Sequence, residues 1–288
     1  MHYKKYKSVV SPKGTMNLYR GCTHGCIYCD SRSTCYQINH DFEDIEIKEN
    51  APVILEKQLK NKRKKIIINT GSMCDPYMPI EKDLEYTRKC LHIINKYYFG
   101  VTVLTKSDLI LRDIDILQKI NSRTKAVAQM TLTNYDDSIT KIIEPHVSTT
   151  SQRIHALKEL HKAGLPTVVW LGPILPFIND TEENISNLID ACGETGVKAI
   201  LSFGPGLTLR EGNREYFYKK LDESFPGTRK KYENTYGDAY ECYSLNYKPL
   251  NKIFREKCKK YNIISNPKEI WNYLGTYEEK KNVQLSLF

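Results

Sequence analysis

VTVLTKSDLILRDIDILQKINSRTKAVAQMT, residues Val101–Thr131, reads as one strand–helix–strand unit. The β-branched run Val101–Thr105 is followed by helical spacing over Asp113–Ile120 and by a second apolar run, Ala126–Thr131. Continuous apolar strands suit a parallel sheet covered on both faces, because a strand buried on both sides need not alternate. The pattern extends in both directions. Upstream lie Lys65–Thr70 (KIIINT) and a weaker first strand, Met16–Tyr19; downstream lie Thr167–Leu171 (TVVWL) and Lys198–Phe203 (KAILSF). Helical patterns fill the gaps. One covers Val53–Lys62 with Pro52 at its start, and another covers Leu84–Tyr97. A third carries Ile154, Leu157 and Leu160 on one face and stops at Gly164. A fourth opens with Asp180 and Glu183 as a capping box, ahead of Ile185, Leu188, Ile189 and Cys192.

Strand–helix alternation repeated five or six times implies right-handed βαβ units, hence an α/β fold. The expected architecture is a partial (β/α)6 barrel of the TIM type, with a doubly wound open sheet as the competitor. Either places chemistry at the C-terminal ends of the strands. Beyond Leu209 the rhythm stops; Glu215–Ser224 and Lys248–Tyr261 look helical, with a Tyr- and Lys-rich stretch between them. The expected division is a core over 1–209, a helical C-terminal extension over 210–275 and a polar tail over 276–288.

With 40% apolar and 27% charged residues among 288, the chain can bury a sizeable core, and no stretch approaches the roughly 20 apolar residues of a membrane span. The first twenty residues are polar and basic, unlike a secretory signal, so a soluble cytoplasmic protein is expected. A formal net charge of +9 suits a polyanionic partner such as nucleic acid, although a Lys-, Asn-, Ile- and Tyr-rich composition alone gives the same balance.

Nine cysteines is an odd number, and three are clustered in Arg20-Gly21-Cys22-Thr23-His24-Gly25-Cys26-Ile27-Tyr28-Cys29-Asp30. In a reducing compartment such clustering points to a metal or redox cofactor. A loop with C-x3-C-x2-C spacing converges three thiolates on one centre. Zinc in a structural site would need a fourth ligand from His24, Cys35 or His40. A cubane iron–sulfur cluster with three protein ligands leaves one iron open. The lack of a second C-x2-C pair and the aromatic Tyr28 before the third cysteine favour the cluster.

This spacing, with Tyr28 before Cys29, resembles the signature of the radical S-adenosylmethionine (SAM) enzymes. Further stretches resemble the branch related to spore photoproduct lyase, also described as DNA repair photolyase-like. They are Asn17–Gly21, Gly71–Tyr77, Leu104–Ser107, and Pro173–Pro176 with Asn179-Asp180. The likeness spans roughly residues 8–205. It implies that Cys22, Cys26 and Cys29 hold a [4Fe-4S] cluster whose open iron chelates SAM, and that Tyr28 contacts the adenine. An external one-electron donor would reduce the cluster; SAM would then yield methionine and a 5′-deoxyadenosyl radical, with DNA as the implied partner.

The resemblance implies further roles. Lys106 matches the lysine that receives the SAM carboxylate. Ser72 and Asp75 stand where a glycine-rich segment meets the SAM amino group, but without the usual Glu. Thr131 and Thr133 are placed to bond the ribose, or are ordinary strand residues. Arg153, after Glu144-Pro145, braces SAM or an acidic loop, or forms an ion pair on a helix surface. His24 reads as a loop residue facing solvent. Cys74 is the catalytic candidate, a thiol able to return hydrogen to the product radical, although the family's thiol aligns at Ser72. Asp30 stands where those lyases carry a relay Tyr. Cys35, Cys90, Cys192, Cys242 and Cys258 read as buried small hydrophobes or surface thiols.

The C-terminal Gln284-Leu285-Ser286-Leu287-Phe288 resembles the peptide by which bacterial polymerases and repair proteins dock on the sliding clamp. There Gln284 would fix register, with Leu285, Leu287 and Phe288 as apolar anchors. The combined expectation is a radical SAM lyase acting on damaged DNA. The alternatives are a radical SAM modifier of RNA or peptide, and a zinc-stabilised clamp-binding adaptor without catalysis.

Overall fold

The computed structural model describes residues 1–280. The chain opens with β1 (His2–Lys5), β2 (Thr15–Met16) and β3 (Tyr19–Arg20), passes through the cysteine loop and returns as β4 (Glu46–Glu49). α1 (Ala51–Asn61), β5 (Ile67–Thr70), α2 (Glu81–Leu84), α3 (Tyr86–Lys96), β6 (Gly100–Thr105) and α4 (Ile114–Arg123) follow. Then come β7 (Ala126–Leu132), α5 (Asp137–Ile143), α6 (Thr150–Lys162), β8 (Thr167–Leu171), α7 (Glu182–Glu194) and β9 (Ala199–Leu201).

The main sheet runs β2-β5-β6-β7-β8-β9, every pair parallel. Spatial order follows chain order without reversal, which is barrel winding; a doubly wound sheet would reverse at a switch point. The result is a partial (β/α)6 barrel, open between β2 and β9. Both free edges are covered, by Val10 bridging Met16 and by Ile264 bridging Ala199, which removes exposed ladder groups. β1 and β3 flank β4 in a separate three-stranded sheet. The expected first strand, Met16–Tyr19, is therefore split: Met16 belongs to the barrel and Tyr19 to the small sheet.

Side-chain alternation divides the barrel wall. Val101, Val103, Ala128, Met130, Val169 and Ile200 pack with the helices in the main core. The opposite, concave face carries Val127, Val168, Ala199 and Leu201. Two expected helices are adjusted. The Leu84–Tyr97 helix breaks at Glu85 (φ 51°), because the Glu81 carboxylate accepts the Thr87 N–H and so starts α3 afresh. The cap of α7 is Thr181, whose Oγ1 accepts from Asn184 N at 3.1 Å, and not the expected Asp180–Glu183 box; Asp180 instead accepts from Phe177 N.

The C-terminal part contains β10 (Gly206–Thr208), α8 (Asn213–Ser224), α9 (Thr228–Tyr236), β11 (Glu241–Tyr243), α10 (Tyr247–Lys260) and α11 (Pro267–Gly275). β10 and β11 form an antiparallel pair. α11 turns Ile270 and Leu274 onto the concave apolar residues of β7, β8 and β9. Tyr273 O accepts from Lys125, the residue before β7, so this helix is held against the concave face of the barrel.

Candidate active site

A cavity of about 410 Å³ lies at the C-terminal ends of the strands. It is lined by Cys22, Cys26, Tyr28 and Cys29 from the cysteine loop, by Gly71–Asp75 after β5, and by Lys106 after β6. Thr131, Trp170, Leu201 and Phe203 complete the wall. Pairing across the sheet sets Thr131 beside Trp170 and Trp170 beside Leu201, so a period-two reading of the strands predicts that they share the concave face.

Backbone hydrogen bonds anchor the cysteine loop. Cys22 N donates to Phe42 O at 2.9 Å, Ile27 N to Ile143 O at 3.0 Å, and His146 N to His24 O at 3.2 Å. Gly21 has φ +81°, and a Cβ there would sit 2.5 Å from Phe42 O, so only glycine permits this approach. Gly71, at φ +100°, crosses β6 so closely that a Cβ would lie 1.9 Å from Leu104 O.

Cys22 and Cys26 are buried and Cys29 is half-buried. Burial, and then the neighbouring Cys29 and Cys26 charges, push the Cys22 thiol well up; burial pushes Cys26 up to about 12. Three thiolates in such surroundings require a compensating cationic centre. A single zinc ion would gather its sulfurs to ~3.8 Å of one another, whereas the three cysteine sulfurs do not all lie within 4.8 Å of each other. Among the described residues the only three potential donor atoms within 4.8 Å of one another belong to His2, His40 and Glu46. An iron–sulfur cluster spreads its cysteine sulfurs wider than one ion does, so the donor set fits it.

Asp75 ties the cavity walls together. Its Oδ1 accepts from Tyr77 N at 2.8 Å and Thr105 Oγ1 at 2.6 Å, while Oδ2 accepts from Lys106 N at 2.8 Å. His24 Nδ1 lies 3.5 Å from Oδ2. His24 is thus buried against an acid and does not face solvent; burial holds its pKa below the ordinary value. Lys106 is half-buried as a residue, and its Nζ makes no hydrogen bond or ion pair among the described residues. It stands 6.0 Å from the centre of the Tyr28 ring.

Behind Tyr28 lies a buried group the sequence did not resolve. Tyr28 donates its hydroxyl to Glu144, and Arg153 pairs with the same carboxylate. The other Arg153 donors reach Ser148 O and Thr131 O, both at 2.8 Å. Arg153 is fully buried, so it lies neither on the cavity lining nor on a helix surface: it fixes Glu144 and Tyr28 from behind. Burial pushes the Glu144 carboxyl up, but the Arg153 and Lys106 charges outweigh it and leave it below the ordinary value.

Ser72 is exposed at the cavity and Cys74 is buried, its Sγ donating to Tyr19 O at 3.1 Å. Burial pushes the Cys74 thiol up to about 12. Thr131 lines the cavity, whereas Thr133 is buried away from it with its hydroxyl unpaired. Asp30 lines the cavity too and accepts from Tyr36 OH at 2.8 Å, which brings a tyrosine to the lining from six residues downstream. Cys90, Cys192, Cys242 and Cys258 are buried and Cys35 is exposed. Gln284, Leu285, Leu287 and Phe288 lie outside the described residues.

Comparison with known proteins agrees with this geometry. A relative from Methanocaldococcus jannaschii, itself uncharacterized, is 34% identical over 216 residues, 74% of this chain and 77% of that protein. An uncharacterized protein of Mycobacterium tuberculosis is 25% identical over 230 residues, 77% of this chain and 66% of that protein. A spore photoproduct lyase complexed with dinucleoside spore photoproduct superposes with a TM-score of 0.66 at 14% identity, over 90% of this chain and 77% of that one. TsrM, a radical SAM methyltransferase of Kitasatospora setae, superposes at 0.53 and 13% identity, over 74% and 38% respectively. The family model described as the radical SAM superfamily matches residues 16–192, a span that holds the cysteine loop and the cavity-lining ends of β5 to β8. The chain belongs to the radical SAM superfamily.

Proposed function

We propose that this chain is a radical SAM enzyme acting on damaged DNA, as a lyase of the spore photoproduct type. The observation that carries this reading is the cavity itself, where three cysteines of C-x3-C-x2-C spacing share a wall with a lysine whose ammonium is unpaired. In this reading Cys22, Cys26 and Cys29 hold a [4Fe-4S] cluster. With SAM bound, that cluster supplies one-electron cleavage of the sulfonium and hence hydrogen abstraction from an unactivated C–H bond.

The chain's own residues bind and orient. Lys106 Nζ receives the SAM carboxylate, Ser72 and Asp75 face its ammonium, Tyr28 supports the adenine and Thr131 bonds the ribose. Arg153 acts through Glu144, holding the Tyr28 ring in place. Cys74 is the hydrogen donor: a thiol that burial keeps protonated at neutral pH retains the S–H bond that such a donor needs. The +9 charge, the exposed Phe203 at the cavity and a structural neighbour carrying a dinucleoside photoproduct support a damaged-DNA substrate. For the tail, Gln284–Phe288, we propose docking on a sliding clamp, which raises local concentration on DNA without tight binding by the barrel.

The test is anaerobic turnover of labelled SAM with a panel of irradiated oligonucleotides, RNA and peptides. The intact protein is expected to carry iron and sulfide and to form 5′-deoxyadenosine, stimulated most by irradiated DNA, and Cys26→Ala is expected to lose all of this. Cleavage that survives in Cys26→Ala would refute the cluster assignment. Stronger stimulation by RNA or peptide would reassign the substrate.

A further inference from the structure

We propose that His2, His40 and Glu46 form a binding site for a divalent transition-metal ion of the zinc class. This site is separate from the cysteine cavity, none of whose lining residues it uses. One donor atom from each of the three residues lies within 4.8 Å of the others. The two imidazoles stand edge to face, with ring centres 5.0 Å apart and an interplanar angle of 88°.

The hydrogen bonds on the far side of each ring fix which nitrogen is free. His2 Nδ1 is 2.9 Å from Asp44 Oδ2, and His40 Nδ1 is 2.9 Å from Asp41 O. A carboxylate and a carbonyl only accept, so each Nδ1 of a neutral ring carries the hydrogen and each Nε2 presents a lone pair. An outer acceptor that holds one nitrogen and aims the other is how proteins prepare histidine for a metal. His40 Nε2 is buried and has no hydrogen-bond partner among the described residues. His2 Nε2 lies 3.8 Å from Glu46 Oε2. Glu46 is buried on β4, so its carboxylate is held where a cation must meet it.

Part of that cationic role is filled by Lys4, whose Nζ is 2.9 Å from Glu46 Oε2, while Tyr6 donates its hydroxyl to Oε1. The Lys4 side chain is 49% exposed and can turn to solvent when a doubly charged ion arrives. Two imidazole nitrogens and one carboxylate oxygen suit zinc, with a fourth position for water; calcium and magnesium prefer all-oxygen shells. Bound there, the ion would pin β1 to the stretch between His40 and β4. That stretch also supplies Phe42 O to Cys22 N and Glu43 to Arg32, so it backs the cysteine loop.

The experiment titrates the full-length chain with zinc under anaerobic conditions, with cobalt(II) as a coloured probe. A nitrogen–oxygen site gives visible cobalt bands without the near-ultraviolet thiolate band that the cysteines would add. His40→Ala is expected to weaken zinc binding at this site at least tenfold and to abolish the rise in Tm that zinc gives the parent chain. Lys4→Ala, which removes the competing ammonium, is expected to bind zinc several-fold more tightly. Cys26→Ser is expected to leave the site unchanged. Glu46→Gln should also weaken binding, and the half-exposed His40 keeps the test decisive if that variant misfolds. Equal affinity in the parent and His40→Ala, a cobalt spectrum carrying only the thiolate band, or weaker binding in Lys4→Ala would each overturn the proposal.

Discussion

Arg153→Met removes the guanidinium that closes the buried corner behind Tyr28. Its donors reach Ser148 O and Thr131 O at 2.8 Å and pair with Glu144, which like Arg153 itself is fully buried. Methionine keeps apolar bulk but leaves a carboxylate without its main partner, and breaking a buried pair from one side costs about 3–5 kcal/mol. Against a typical stability of about 5–15 kcal/mol that is a large fraction, and for a chain of this size it lowers Tm by roughly 10 °C. The dependence on pH carries the sign. In the parent chain burial raises the Glu144 carboxyl, but Arg153 and Lys106 outweigh it and hold it low. Its contribution is therefore complete above the unfolded value of about 4.3, and is lost as pH falls through the lower folded value. In the variant burial is opposed only by Lys106 and the Tyr28 hydroxyl, so the folded carboxyl is expected to titrate higher than in the parent, and its penalty at neutral pH to be relieved on acidification. Urea denaturation followed by far-ultraviolet circular dichroism, from pH 8 down to pH 5, should show a stability gap that is widest at pH 7–8 and narrows toward pH 5. A gap below about 1 kcal/mol, or one that widens on acidification, would refute the reasoning.

Three further outcomes are expected. Lys106→Met should weaken equilibrium binding of SAM by roughly tenfold to a hundredfold, the equivalent of one charge-assisted hydrogen bond of about 1.5–3 kcal/mol. Cys74→Ser should still cleave SAM yet return hydrogen to product poorly, read as more SAM consumed per lesion repaired; an unchanged ratio would remove Cys74 from the chemistry. Deleting Gln284–Phe288 should abolish co-purification with the sliding clamp while leaving SAM cleavage alone, and equal clamp binding with and without these residues would end that idea.

The sequence made the barrel legible where strands are buried on both faces. Thr167–Leu171 is a strand with the expected ends, because both of its faces meet apolar side chains and its composition carries that pressure. The first strand was harder. β2 has two residues, and the chain leaves the barrel immediately afterwards for another sheet, a change of partner that no local pattern encodes. α11 shows the same limit from the other end: its apolar face is visible in sequence, but nothing local says that it meets the concave wall. In the site, spacing and position single out the cysteines and Lys106, and these residues line one cavity. The Tyr28–Glu144 hydrogen bond joins residues 116 apart in sequence, and the burial that makes Arg153 a support comes from tertiary packing alone.

Hydrogen-bonding capacity separates the two residues proposed for the SAM ammonium. A carboxylate offers about four acceptor positions. Asp75 already uses them for Tyr77 N, Thr105 Oγ1, Lys106 N and, most loosely at 3.5 Å, His24 Nδ1. An incoming ammonium could take only the His24 position without loosening the junction between the β5 loop and the end of β6. Ser72 is exposed at the cavity and makes no side-chain hydrogen bond among the described residues, so its hydroxyl is free to accept. Asp75 therefore holds Lys106 and the Gly71–Asp75 loop at fixed separation, and under the proposed function it favours the ammonium by charge without needing to touch it. Under the proposed function, charge and contact are divided between residues three apart, which spares the carboxylate whose hydrogen bonds join the β5 loop to the end of β6.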